Sequence, residues 1–115
     1  MKTVDLFAGC GGLSLGFQNQ GFEIIEAFDN WEKAIKIYEK NFNHKITKLD
    51  LSLENAKEII KSKKAEIIIG GSPCQDFSSA GKQEEKGRAD LTLKFAEIIE
   101  SSNPEWFVME NVERI

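Results

Sequence analysis

The sequence predicts an α/β fold: a doubly wound, mainly parallel sheet of about five strands with helices on both faces. Three observations predict it. Short runs rich in Val, Ile and Phe alternate along the chain with stretches whose apolar residues recur at helical spacing. A glycine-rich turn, Ala8-Gly9-Cys10-Gly11-Gly12, joins the first run to the first helical stretch. Acids or glycines stand where later runs stop, at Asp29, Asp50 and Gly70.

Thr3 to Phe7 reads as the first strand. Leu13 to Gln20 follows as a helix, with Gly21 in the position after it that glycine favours. Phe22 to Phe28 is the second strand. Asp29 or Asn30 caps the next helix, where Trp31, Ala34, Ile35, Tyr38 and Phe42 mark one buried face. Lys45 to Leu49 is a short third strand. Ser52 caps a helix carrying Leu53, Ala56, Ile59 and Ile60 on one side. Ala65 to Ile69 is the fourth strand. Asp90 caps a helix showing Leu91, Phe95, Ile98 and Ile99, closed by Ser101-Ser102-Asn103-Pro104. Trp106 to Met109 is the fifth strand. There is no internal repeat, low-complexity tract or linker, and no helix follows the fifth strand before Ile115. That pattern suits a fragment, or one piece of a two-part protein.

At 115 residues, 41% hydrophobic and 30% charged, the chain has the composition of one soluble globular domain. No apolar run approaches the roughly 18 residues of a membrane span, and Met1 to Asp5 lacks the apolar stretch of a signal peptide. A cytoplasmic location is expected. Without a secretion signal, Cys10 and Cys74 are expected as reduced thiols. Two cysteines and the lone His44 make no metal-ligand cluster. The net charge of −4 argues against a nucleic-acid surface spread over the whole chain, though not against a local one.

Strand, glycine turn, helix is the dinucleotide-binding pattern in outline, but the third glycine of GxGxxG is replaced by Ser14. The turn therefore suits a nucleoside without a pyrophosphate. Asp29 lies 20 residues after Gly9, where an acid accepts hydrogen bonds from ribose hydroxyls. Asp50 ends the third strand and could reach an adenine amino group. The Gly70-Gly71-Ser72-Pro73-Cys74-Gln75 turn holds a thiol at the mouth of the sheet, because Pro73 fixes its own φ and stiffens Ser72. Each feature alone has a plainer use. The glycines can serve tight packing, Asp29 and Asp50 can be caps, Cys10 can be a small packing residue and Trp31 a core residue. The segment 76–90 can be a solvated loop.

Three segments together resemble one family. Asp5-Leu6-Phe7-Ala8-Gly9-Cys10-Gly11-Gly12-Leu13-Ser14-Leu15-Gly16-Phe17 resembles the first motif of the cytosine-C5 DNA methyltransferases. Gly70-Gly71-Ser72-Pro73-Cys74-Gln75-Asp76-Phe77-Ser78 resembles their catalytic Pro-Cys-Gln motif, and Met109-Glu110-Asn111-Val112 their Glu-Asn-Val motif. Arg88-Ala89-Asp90-Leu91 resembles a weaker motif between the last two. The resemblance implies the Rossmann-like fold of S-adenosylmethionine-dependent methyltransferases and makes 1–115 the N-terminal part of the catalytic domain, without a target-recognition domain.

The resemblance also implies a site. S-adenosylmethionine is the cofactor, held by Phe7, Ala8, Gly9, Gly11, Gly12, Asp50, Leu51, Pro73 and Leu91, with Trp31 beside it. The family often carries an acid just before that tryptophan; here the residue is Asn30, so either Asp29 or Asn30 takes the ribose. Cys74 is the nucleophile that adds to carbon 6 of a cytosine and makes carbon 5 electron-rich. Glu110 assists at ring nitrogen 3, and Asn111 fixes the local geometry. The substrate is double-stranded DNA with the cytosine flipped out. Gln75 to Gly87 forms a lid hinged at Gly81 and Gly87, with Gln75, Ser78, Ser79 and Lys82 toward the substrate. A second polypeptide could carry the recognition region, and the chain alone is expected to be inactive. Two rival readings remain: the same chemistry on tRNA, and a cofactor-binding subunit without activity of its own.

Overall fold

The computed structural model describes residues 1–71 and 81–111, of which 81–90 as backbone only. Nine elements alternate: β1 (Lys2–Leu6), α1 (Gly12–Asn19), β2 (Glu23–Asp29), α2 (Glu32–Asn41), β3 (Lys45–Lys48), α3 (Ala56–Ser62), β4 (Ile67–Gly71), α4 (Gly81–Ser102) and β5 (Trp106–Glu110). The strands form one parallel sheet in the order β3-β2-β1-β4-β5. The chain runs outward from β1 to β3 and then returns to place β4 on the other side of β1. The topological switch point therefore lies between β1 and β4, where open α/β sheets bind ligands beyond the carboxyl ends of their strands.

The period of two along β1 divides the layers. Val4 and Leu6 face a core with Ala56 and Ile60 of α3 and Phe95 and Ile98 of α4. On the opposite face, α1 and α2 cover the sheet through clusters that include Ala27, Ile35, Tyr38 and Ile46, and Ile24, Ile67 and Ile69. Thr3 and Asp5 point to that second face, both fully buried.

Several boundaries differ from those expected. β4 runs on through Gly70 and Gly71, which register against Met109 and Glu110 of β5 rather than ending the strand. Close approach explains the glycines: a Cβ at Gly70 would stand 2.6 Å from the Phe95 ring and 2.7 Å from the Leu6 carbonyl. α4 begins ten residues before the expected Leu91, so Asp90 lies inside it rather than at its start. Lys82-Gln83-Glu84-Glu85-Lys86 are strong helix formers and carry the helix upstream. Gly81 and Gly87 are thus helical positions, Gly81 being the first residue of α4, and Lys82 follows it.

Trp31, not Asp29 or Asn30, is the N-cap of α2, and it is 64% exposed rather than part of the buried face. Ser52 does not cap α3, whose N-cap is Asn55. The Ser52 backbone N–H and hydroxyl instead donate to Asp50 Oδ1, at 2.9 and 2.6 Å, a local turn that competes with helix formation. Leu53 is consequently exposed. Cys10, expected to pack between glycines, is an exposed free thiol.

β5 lies at the edge of the sheet among the described residues, and Trp106, Phe107, Val108 and Met109 are all exposed. Among the described residues no helix is long and apolar enough to cross a membrane, and no cluster of His, Cys, Asp and Glu could hold a metal ion.

Candidate cofactor cleft at the switch point

A cleft of about 810 Å³ opens at the carboxyl ends of the strands. The segment after β1 supplies Phe7, Ala8 and Gly9, and β2 supplies Asp29 with Asn30 and Trp31 behind it. Asp50 and Leu51 follow β3, Gly71 and Glu110 end β4 and β5, and Leu91 comes from α4. The structure thus brings ten of the expected site residues to one cleft.

Local chemistry fixes this wall. Phe7 holds φ at 56°, in the left-handed region that a phenylalanine rarely adopts. The turn is anchored by the Ala8 N–H donating to the Phe28 carbonyl at 3.0 Å. Asp29 ties two segments together, since the Gly9 N–H donates to its Oδ2 and the Trp31 N–H to its Oδ1, both at 2.8 Å. It serves as a brace between the glycine turn and the start of α2. At Gly9, φ is 58° and an added Cβ would meet nothing within 4 Å, so the backbone there is open to close approach.

Gly11 and Gly12 are not part of the cleft wall. Gly11 answers a packing demand: its φ is 100°, and a Cβ would stand 2.3 Å from the Phe42 ring. Asn111 is exposed and is not among the wall residues. Pro73, Cys74, Gln75, Ser78 and Ser79 lie outside the described residues, as does the side chain of Lys82.

Sequence reasoning missed Asp5, Leu13, Leu49 and Gly71 in the wall. Asp5 was legible in principle, as an acid between Val4 and Leu6 in a strand buried on both faces. Burial pushes its carboxyl up to about 7, against the hydrogen bond from Ser14, and the Asp29 charge adds to the rise. Among the described residues its Oδ1 is buried without a hydrogen-bond partner. With Asp29, Asp50 and Glu110, four carboxyl groups wall the cleft, and no lysine or arginine does so among the described residues. Aromatic and aliphatic walls beside acids suit a flat heterocycle that carries hydroxyls and a positive charge.

A parallel α/β sheet with an acidic, aromatic-walled cleft at its switch point has the architecture of nucleoside-binding domains. The particular family follows from comparison with known proteins. The chain belongs to the C-5 cytosine-specific DNA methylases, whose family model matches residues 1–115. It is 62% identical over 117 residues to the type II methyltransferase M.HindV of Haemophilus influenzae, covering 100% of this chain and 38% of that protein. It is 59% identical over 116 residues to M.HgiGI of Herpetosiphon aurantiacus, covering 99% of this chain and 92% of that one. A prophage-encoded candidate DNA modification methyltransferase of E. coli superposes with a TM-score of 0.81 at 36% identity, over 97% of this chain and 32% of that one. The chain thus spans a little over a third of the length of relatives such as M.HindV.

Membership of this family implies S-adenosylmethionine as the cofactor, and the residues fit it. The orphaned Asp5 Oδ1, the open face of Gly9 and a wall of carboxyl groups with no counter-cation among the described residues suit a ligand with a cationic sulfonium and amino group.

Proposed function

We propose that this chain forms the cofactor-binding and nucleophile-bearing part of an enzyme that methylates carbon 5 of cytosine in DNA. The cleft at the β1–β4 switch point is the observation that carries the reading. Phe7, Trp31, Leu51 and Leu91 enclose the adenine, while Asp50 takes its amino group and Asp29 or Asn30 the ribose. Gly9 lets the backbone approach the methionine part, with Gly11, Gly12 and Ala8 shaping that turn. When bound, S-adenosylmethionine supplies an electrophilic methyl group.

Cys74 adds as a thiolate to carbon 6 of a cytosine flipped from the duplex, which leaves carbon 5 nucleophilic. Glu110, which approaches Gly71, donates to ring nitrogen 3 as charge develops there. Asn111 and Pro73 hold these two segments in register, and Gln75, Ser78, Ser79 and Lys82 meet the DNA. After methylation, loss of the carbon 5 proton and departure of Cys74 complete the cycle. The exposed apolar residues of β5 support a second polypeptide seated there, carrying the recognition region.

Tritium release from C5-tritiated cytosine tests this. With the part of M.HindV that this chain does not match as companion, release is expected from DNA and not from tRNA, and the isolated chain is expected to be inactive. Cys74→Ala should lower release by at least about 1,000-fold. Release from tRNA alone would overturn the DNA assignment, and unchanged release by Cys74→Ala would overturn the covalent mechanism.

Gly71 offers a finer check. A Cβ there would stand 2.8 Å from Glu110 Oε2, the free end of a flexible side chain that can move aside. Gly71→Ala is therefore expected to cost less than about 1 kcal/mol of stability yet to slow methylation about 100-fold by displacing that carboxyl group. Urea melts and single-turnover rates of the same preparation separate the two effects.

A further inference from the structure

We propose that Asp5, Ser14, Tyr38 and His44 form a proton relay that lets Asp5 ionise when a cationic ligand enters the cleft, and that registers the change as a switch of tautomer at His44. The ligand part rests on the cofactor assignment above; the relay itself does not.

These four groups form one hydrogen-bonded file through the apolar layer between the sheet and helices α1 and α2. Ser14 Oγ is bonded to Asp5 Oδ2, and Tyr38 Oη donates to Ser14 Oγ at 2.8 Å. Tyr38 Oη is also bonded to His44 Nε2. Asp5, Ser14 and Tyr38 are fully buried and His44 is half-buried, so the file runs from the cleft wall toward the surface. The relay explains two otherwise idle features: a buried serine under the glycine turn, and a tyrosine whose hydroxyl is buried beneath α2.

A hydroxyl has one hydrogen to donate, so the file can point in only two ways as a whole. With Asp5 ionised, Ser14 donates to Asp5 and Tyr38 to Ser14, and His44 must donate from Nε2–H. With Asp5 protonated on Oδ2, every bond reverses. Asp5 then donates to Ser14, Ser14 to Tyr38, and Tyr38 to a bare Nε2, which leaves the ring proton of His44 on Nδ1.

Passage between the two states conserves every atom. The Asp5 proton moves to Ser14 Oγ, the Ser14 proton to Tyr38 Oη and the Tyr38 proton to His44 Nε2. His44 then gives its Nδ1 proton to water, and one proton leaves the protein.

The surroundings poise the switch. Burial raises Asp5 to about 7 and lowers His44 below its ordinary 6.5, so their usual order is reversed and the proton is held at the Asp5 end. Tyr38 is pushed up to about 12 by burial, so its phenol conducts without becoming an anion. Asp29 of β2 adds negative charge beside Asp5, with Asp50 and Glu110 elsewhere in the wall. The strand neighbours of Asp5 are apolar, Ala27 and Ile69, and the rings of Tyr38 and Phe42 pack around His44. A cation that meets the unpartnered Oδ1 stabilises ionised Asp5 and drives the proton out.

Since the chain has a single histidine, its ring nitrogens are assigned without ambiguity by nitrogen NMR. In the ligand-free 115-residue protein, the neutral tautomer should change from Nδ1–H at about pH 6 to Nε2–H at about pH 8.5. Asp5→Asn should abolish the change, and Tyr38→Phe, which deletes one hydroxyl, should abolish it while circular dichroism shows the fold retained. S-adenosylmethionine added at about pH 6.5, with binding followed by calorimetry, should produce the Nε2–H form and release about one proton. A tautomer that stays constant with pH, or that still switches in Tyr38→Phe, overturns the relay. So does calorimetrically detected binding that leaves the tautomer unchanged. Absence of any binding overturns the cofactor assignment instead, and the pH series then decides the relay by itself.

Discussion

Replacing Gly70 with alanine is expected to destabilise the protein by about 3 kcal/mol, a loss of roughly 10 °C in Tm for a domain of this size. The added methyl would stand 2.6 Å from Phe95 Cε2 and 2.7 Å from the Leu6 carbonyl oxygen. Phe95 is 3% exposed and packs in the core with Leu6 and Ile98, so the ring has no empty space to enter. Leu6 O is main chain in β1, and moving it would disturb the central ladder where Leu6 is paired with Gly70. The small entropic gain of alanine over glycine in a strand offsets less than about 1 kcal/mol of this. Urea unfolding of Gly70→Ala measures the loss. Adding Phe95→Leu, which shortens the clashing side chain, should recover at least about 1 kcal/mol in a double-mutant cycle. A Gly70→Ala protein as stable as the parent would mean that β4 and α4 are further apart than the structure places them.

The same pair of glycines shows what the sequence could and could not convey. The alternation of Ile67-Ile68-Ile69 with helical segments announced a parallel sheet, and the order of elements is as expected. Local cues failed where a longer-range contact decided the outcome. Glycines after an apolar run ordinarily mean a turn, yet here they remain in the strand because Phe95 and Glu110 cross them. Ser52 carries the chemistry of a helix cap but is captured by Asp50 two residues away. Trp31 fits a helical stripe by spacing, although its position at the N-cap turns it toward the cleft. For the cleft itself, Asp29 and Asp50 were legible because their chemistry and their strand-end positions agree. Asp5 could be picked out as an acid in a buried strand, but its role could not, because that depends on partners at positions 14, 38 and 44.

That buried acid carries the second large effect expected, on stability as a function of pH. Burial pushes the Asp5 carboxyl up to about 7 in the folded chain, from an ordinary value of 3.8 that the unfolded chain regains. Between these values the unfolded chain has released a proton that the folded chain still holds. Stability from this group is therefore fully present below about pH 4, falls as pH rises and levels off above about pH 7. Three pH units correspond to about 4 kcal/mol. The direction is opposite to that of Glu26, whose burial would raise its pKa but whose hydrogen bonds from Thr47 and Lys63 lower it, so that it stabilises more as pH rises through the acid range. Comparing the parent with Asp5→Asn cancels Glu26 and every other group common to both. The stability of Asp5→Asn relative to the parent is expected to climb by up to about 4 kcal/mol from pH 4 to pH 7 and then to stay level. Urea unfolding at unit pH intervals measures this difference, and a flat difference across the range would show that Asp5 is ionised in the folded chain throughout. The cost is what a cation-binding wall requires: a carboxyl group kept dry and partly unpartnered is unfavourable in the empty protein, and a positive ligand relieves it.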